Sequence, residues 1–123
     1  MERKVLVENS LEKKMKVILE AIDKGKGEDI VVFDFTSVSP FIDRVIITSA
    51  NNMRKVHAIA DRIKEQCREY DFAVRMEGNQ DSKWILLDAG EVIVHVFYDE
   101  ERDVYRLERL YGDLPRWEGQ YDL

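Results

Sequence analysis

The sequence lacks the features that define several common classes of protein. It holds one cysteine, so no disulfide forms within the chain, and it has no run of about 18 apolar residues, so no membrane-spanning helix is expected. The start, Met1-Glu2-Arg3-Lys4, lacks both the apolar run of a signal peptide and the Ser- and Arg-rich composition of a transit peptide. The cytoplasm is therefore the default compartment.

Residues for metal or nucleophilic chemistry are scarce. A zinc site needs roughly three or four ligands, and the chain offers only His57, His95 and Cys67, at scattered positions. We interpret both histidines as structural or polar-contact residues, and Cys67, on the apolar stripe of a predicted helix, as a packing residue. No serine stands in a G-x-S-x-G setting. We expect no metal, no cofactor and no catalytic residue.

Phosphate chemistry lacks its usual residues too. The junction from Thr48 to Arg54 is a strand, a polar loop and a helix start, but it contains no glycine to let the backbone approach a phosphate. Two-metal nucleotidyl transfer needs two closely spaced acids on one strand, whereas Asp34-Phe35-Thr36 offers one. Capping and surface roles are the better interpretation of Thr48 to Arg54, and we expect no active transferase site at Asp34.

What the chain does have is the composition of one soluble domain. Its 123 residues, 45% of them apolar, suit a single domain over residues 1–123 with a core of its own. Because its formal net charge is −6, the protein would gain little favourable free energy from the counterion release that drives general nucleic-acid binding. It favours a basic partner, or reflects solubility alone.

Hydrophobic patterning predicts helices and strands in alternation. A first helix starts at Asn9 or Ser10, where Asn9 and Glu12 have capping-box spacing, and stops at Gly25. The remaining predicted elements are a strand at Ile30–Phe33 buried on both faces, a strand at Val45–Thr48, a helix capped by Ser49, Asn51 or Asn52, a strand at Phe72–Met76, a hairpin of Trp84–Leu87 and Val92–Phe97, and a helix from Asp99 to Tyr111.

This order predicts an α/β (α+β) fold, a mixed five-stranded sheet flanked by helices. Neither strand of the hairpin alternates apolar with polar residues, so helices or another subunit must cover both of its faces. In the last helix we expect Val104, Leu107 and Tyr111 to face inward. The tail, residues 113–123, is predicted to be loosely held.

One constellation suggests an interface. Trp84 opens a strand, and Tyr105 and Arg102 share a face of the helix that follows the hairpin. Trp, Tyr and Arg are the side chains that most often anchor protein interfaces. The alternative is that Trp84 is a core residue and Tyr105 an ordinary surface residue, and the pattern alone leaves both open.

Segments from Leu11 to Pro115 carry a resemblance to a known family. They are Gly27-Glu28-Asp29-Ile30-Val31-Val32, the loop and strand Ser39 to Ser49 with Asp43, Arg54-Lys55-Val56-His57-Ala58-Ile59-Ala60-Asp61, Trp84-Ile85-Leu86-Leu87-Asp88, Gly90 to Phe97, and Arg102, Tyr105, Leu107, Glu108, Leu110 and Gly112-Asp113. In this order and at this spacing the chain resembles the ribosomal silencing factor family, also called the Iojap-like family.

The resemblance implies a nucleotidyltransferase-like fold without the catalytic acids, and a protein that is not an enzyme. Such a protein binds the fourteenth protein of the large ribosomal subunit, sterically blocks association with the small subunit and represses translation under nutrient limitation. Members commonly form homodimers. Carried over to this chain together with surface logic, the expected partner-binding residues are Trp84, Leu87, Asp88, Arg102, Tyr105 and Glu108.

Two rival functions remain at this stage. One is a dimeric scaffold with another partner, which the continuous apolar hairpin favours. The other is a nucleotidyltransferase-like enzyme, which requires metal-dependent nucleotide binding near Asp34 or Asp43. For the protein itself we expect no membrane and no direct sequence-specific nucleic acid among its partners.

Overall fold

A mixed sheet of five strands organises the chain. The computed structural model describes the backbone of residues 2–117 and the side chains of residues 10–117. Its elements are α1 (Glu2–Lys24), β1 (Glu28–Asp34), β2 (Arg44–Ala50), α2 (Met53–Glu69), β3 (Arg75–Glu77), β4 (Trp84–Asp88), β5 (Val92–Tyr98), α3 (Asp99–Tyr105) and α4 (Leu107–Leu110). The strands lie in the order β1-β2-β5-β4-β3, and only β2 and β5 run parallel. The predicted α+β fold is confirmed.

One face of the sheet, here called the helix-covered face, packs against α1 and α2. Successive strand residues point to opposite faces, and this face collects Ile46, Ile85, Leu87, Val94 and Val96, each at most 2% exposed. The helices contribute apolar side chains at the predicted spacing, namely Met15, Ile18 and Ile22 from α1 and Val56, Ile59, Ile63 and Cys67 from α2. This layer is the main core of the domain.

Polar contacts fix the two helices in place. The Asn52 side chain accepts a hydrogen bond of 2.9 Å from the backbone N–H of Lys55, so it is the N-cap of α2, as predicted. The Lys14 ammonium on α1 donates to the carbonyl of Ala89 at 2.8 Å and pairs with the Glu91 carboxylate at 2.7 Å. Because Lys14 is only 8% exposed, this contact ties α1 to the β4–β5 turn with little competition from water.

Two predicted boundaries are wrong, and so is one predicted burial. Helix α1 is already helical at Glu2, so Asn9 lies inside it rather than at its start; the preceding residues are largely good helix formers and continue the helix. Strand β1 lies at an edge of the described sheet, beside β2, and Ile30 is 37% exposed, so the prediction that Ile30–Phe33 is buried on both faces is wrong at Ile30. The third strand spans Arg75–Glu77, not Phe72–Met76, because the chain turns at Asp71 with a positive φ of 60° and stays irregular before Arg75.

The predicted third helix is two short helices. The backbone of Arg106 has a left-handed φ of 47°, which ends α3 and starts α4 in a new direction. Val104 is consequently 71% exposed, so the expectation that it faces inward is wrong. Leu107 and Tyr111 do pack inward, against the second face of the sheet.

The described part of the tail is held against β1. The Asp34 N–H donates to the Pro115 carbonyl, and the Trp117 N–H donates to the Val32 carbonyl, both at 2.8 Å. These bonds place residues 115 and 117 beside β1. That residues 113–123 form a loosely held tail stays a prediction, and residues 118–123 lie outside the described chain. Within the described part, no helix is both long and apolar enough to cross a membrane.

Candidate interaction surface

The second face of the sheet is covered only in part. On its β1–β2 side, Phe33, Val45 and Ile47 are buried beneath side chains that follow α3, among them Leu107, Tyr111 and Leu114. Helix α3 itself packs on β2 and β5. On the β4 side the half-buried residues are Trp84, Leu86 and Ile93. We call this β4–β5 part the open half-face.

The hairpin register brings aromatic rings together on the open half-face. Trp84 lies opposite Phe97, and Leu86 lies opposite His95, so all four side chains share one face. The Trp84 ring stacks on Phe97 with centroids 4.9 Å apart and meets Tyr105 of α3 at 4.7 Å. Trp84, His95, Phe97 and Tyr105 form what we call the aromatic cluster.

The aromatic cluster runs from the core to the surface. Phe97 is 1% exposed and His95 is 6% exposed, whereas Tyr105 is 52% exposed. Trp84 lies between these limits, with one side of its indole against Phe97 and Tyr105 at its rim. A large ring that is supported from below and accessible from outside is the usual form of an interface anchor.

His95 bonds directly to Trp84. The indole Nε1–H donates to His95 Nδ1 at 3.0 Å. Burial lowers the pKa of His95 to about 4, because desolvation penalises the charged ring. At neutral pH the imidazole is therefore neutral, and its Nδ1 accepts this bond in the tautomer that carries the ring proton on Nε2.

An acidic group lies at the other end of β4. Asp88 is on the same face as Trp84, about 13 Å away along the strand, and stands opposite Ile93 on β5 and Arg75 on β3. Its carboxylate accepts a hydrogen bond of 3.0 Å from the Gly90 N–H, which orders the turn that follows. The open half-face therefore has an aromatic end and a charged end.

Arg102 does not lie on the surface where the sequence placed it. It is 9% exposed, and its guanidinium donates to the Glu108 carboxylate at 2.7 Å, the Ser49 hydroxyl at 2.9 Å and the Asp29 carbonyl at 2.7 Å. These bonds clamp α3 and α4 onto β1 and β2. The prediction that Arg102 contacts a partner directly is corrected, since its donors are used within the chain; Glu108, its acceptor, has a side chain one-third exposed, at 33%.

Leu87 also has a different place. The alternation of β4 points Leu87 to the helix-covered face, where it is 0% exposed and belongs to the main core. A residue there supports the sheet but cannot touch a partner of the opposite face. Of the six predicted residues, the structure brings Trp84 and Tyr105 into contact, and leaves Asp88 accessible on the same face.

Sequence reasoning missed His95, Leu86 and Ile93 as parts of this face. The hairpin itself was the available signal: pairing its strands across the predicted turn places His95 diagonally from Trp84. The sequence alone predicts a structural or polar-contact role for His95, and the hydrogen bond from Trp84 identifies its polar contact.

The residues that the sequence offers for metal binding or catalysis either lie far apart or form hydrogen bonds with neighbouring residues. His57 is on α2 and His95 on the opposite side of the sheet, and the described residues include no group of acids, histidines or cysteine that could hold a metal ion. Cys67 is buried, and burial raises the pKa of its thiol. The Asp34 carboxylate accepts from the hydroxyl and N–H of Thr36 at 2.6 and 2.9 Å, and chiefly the hydroxyl lowers its pKa.

Comparison with known proteins decides the family. The model of a family described as "Ribosomal silencing factor during starvation" matches residues 8–122. The chain belongs to the ribosomal silencing factor family. This family is regulatory and not enzymatic, in agreement with the sequence-based expectation.

Individual relatives support the assignment over most of the chain. "Ribosomal silencing factor RsfS" of Bacillus subtilis is 40% identical over 102 residues, which are 82% of this chain and 86% of that protein. A crystal structure of a Bacillus halodurans protein matches with a TM-score of 0.76 at 33% identity and covers 85% of this chain and 96% of that one. A mouse protein named "Mitochondrial assembly of ribosomal large subunit protein 1" is 25% identical over 100 residues, 77% of this chain and 43% of its own length.

Proposed function

We propose that this silencing factor binds the large ribosomal subunit through its fourteenth protein and sterically blocks association with the small subunit. Translation is thereby repressed under nutrient limitation, in the cytoplasm. Occupation of an intersubunit contact is sufficient, because a ligand that binds only the free large subunit shifts the joining equilibrium by mass action. No chemical step is required.

The observation that carries the proposal is the aromatic cluster on the open half-face. Trp84 is half-buried and stacked at 4.9 Å on Phe97, and Tyr105 is 52% exposed beside it. Burying two such rings contributes more to binding than the scattered polar surface around them. We assign Trp84 and Tyr105 as the anchors of the ribosomal-protein contact.

Acidic residues frame these anchors. Asp88 lies at the far end of β4, and Glu108 accepts from Arg102 while its side chain remains one-third exposed, at 33%. Together with the net charge of −6, they suit a basic ribosomal protein better than bare RNA. Such rim charges set the association rate and the register more than the affinity.

Self-association is part of the proposal. Leu86 and Ile93 stay half-buried on the open half-face beside the anchors, so a second copy of the chain would gain by covering them. A homodimer that used this face would compete with the ribosome for it. Sedimentation of the protein alone and with large subunits would show whether subunit binding dissociates the dimer.

Binding to purified large subunits tests the anchors. Tyr105→Ala should weaken binding at least tenfold, since anchor residues contribute about 2 kcal/mol or more on truncation. The matched control is Tyr70→Ala, an aromatic residue 47% exposed at the end of α2, against 52% for Tyr105. Equal affinities of the two variants would reject the anchor assignment, and failure of the wild-type protein to bind large subunits would reject the function in favour of another partner.

A further inference from the structure

Trp84 is an anchor only if its ring is held in one orientation. Its side chain has two rotatable bonds, and it is only half-buried at the start of β4. Stacking on Phe97 fixes the plane of the ring, with an interplanar angle of 26°. Stacking alone does not select which edge of the indole points outward, because a rotation of about 180° about χ2 returns the ring to the same plane with its edges exchanged.

The bond to His95 supplies the missing constraint. Nε1 is the only donor of the indole, and it lies 3.0 Å from His95 Nδ1. His95 is itself buried, being 6% exposed, and it lies close to Phe97, with ring centroids 6.1 Å apart. A buried acceptor on a central strand therefore determines which edge of Trp84 faces the core and which faces outward.

We propose that His95 is a positioning residue, whose Nδ1 lone pair holds the Trp84 indole in its binding orientation before the partner arrives. Its effect on the ribosome rests on the proposed function, whereas its effect on the ring does not. Preorganisation saves the loss of side-chain freedom that binding would otherwise require. The benefit is then seen in affinity, without any contact between His95 and the partner.

Two substitutions of nearly equal shape isolate the acceptor. In His95→Asn the amide oxygen occupies the place of Nδ1 relative to the backbone and still accepts a hydrogen bond. In His95→Leu a methyl group stands there and accepts none. Circular dichroism and thermal unfolding would first confirm that each variant has a cooperative folded state.

The first readout is the indole N–H signal of Trp84 in a proton–nitrogen NMR spectrum. The chain has two tryptophans, so Trp117→Phe assigns the signals. We expect the Trp84 N–H of the wild type and of His95→Asn to exchange with solvent at least tenfold more slowly than that of His95→Leu. Equal exchange in folded Asn and Leu variants would overturn the proposal. So would rapid, unprotected exchange in the wild type, a result that needs no variant to fold.

The second readout is the affinity for purified large subunits. One neutral hydrogen bond corresponds to about a fivefold to tenfold change, so His95→Leu should lose that much and His95→Asn should recover most of it. Equal affinity of the two variants would overturn the positioning role. If the wild type does not bind large subunits, the proposed function fails, and the exchange measurement still decides whether His95 positions Trp84.

Discussion

The two faces of the sheet differ in the type and the burial of their side chains. The helix-covered face consists of aliphatic side chains that are almost completely buried, such as Ile46, Leu87 and Val94. The open half-face instead carries aromatic rings joined by a hydrogen bond, and its outermost members, Trp84 and Tyr105, remain accessible. The difference indicates that the helix-covered face supplies most of the buried apolar core, and it supports the proposal that the open half-face binds a partner.

The largest expected effect is a loss of stability on the helix-covered face. Ile63→Ala removes a side chain that is 0% exposed, and should lower the free energy of unfolding by about 2–5 kcal/mol. Leu86→Ala on the open half-face should cost clearly less, because that side chain is half-buried. Urea denaturation measures both, and equal losses would contradict the comparison.

The second largest effect is expected from removing the hydrogen bonds of Arg102, which join α3 and α4 to β1 and β2. Arg102→Met keeps the apolar stem but leaves the Ser49 hydroxyl, the Asp29 carbonyl and the Glu108 carboxylate without their donor. We expect the free energy of unfolding to fall by about 2–3 kcal/mol. This is less than the loss on breaking a fully buried ion pair, because the Glu108 side chain reaches solvent. Glu108→Gln, which keeps an acceptor for Arg102, is the control in the same denaturation assay and should cost much less.

Acid should lower the stability of the folded protein through protonation of His95. Its pKa is lowered to about 4 in the folded protein by burial, whereas an unfolded histidine titrates near its ordinary value of about 6.5. Between these values the unfolded chain binds the extra proton, so stability falls as pH drops from 7 towards 4, by about 2 kcal/mol at pH ~5. Denaturation midpoints over this range should fall more steeply for the wild type than for His95→Asn.

The smallest effect is expected from the rim of the open half-face. Asp88→Asn keeps an oxygen for the Gly90 N–H and removes one charge, so stability should change by less than about 0.5 kcal/mol. Association with large subunits should slow several-fold at low salt and approach the wild-type rate at high salt. Stopped-flow binding at two salt concentrations measures this, and an unchanged salt dependence would remove Asp88 from the contact.

The sequence predicts the mixed sheet well because its apolar periods are strong. The stripe Val56, Ile59, Ile63 and Cys67 predicts both α2 and the face that it buries. The buried position of Arg102 cannot be predicted from periodicity, since its acceptors on β1 and β2 are brought near it only by the tertiary fold. The break at Arg106 escapes a periodicity argument as well, because one left-handed residue redirects a helix whose pattern appears continuous.

The candidate site was predictable to a lesser degree. Trp84 and Tyr105 stand out by residue type, and the structure brings them to 4.7 Å. Leu87 was misplaced because a continuous apolar run such as Trp84–Leu87 does not indicate which residues face which side. Once the hairpin register is known, strand alternation assigns Leu87 to the core and His95 to the aromatic cluster.

Subunit rejoining followed by light scattering tests the central claim most directly. Purified large subunits would be incubated with the protein before small subunits are added. We predict a dose-dependent loss of joining with the wild type and with Tyr70→Ala, and little loss with a folded Trp84→Ala protein. Complete joining at saturating wild-type protein would contradict silencing by steric block, and undiminished silencing by Trp84→Ala would contradict the role of the aromatic cluster.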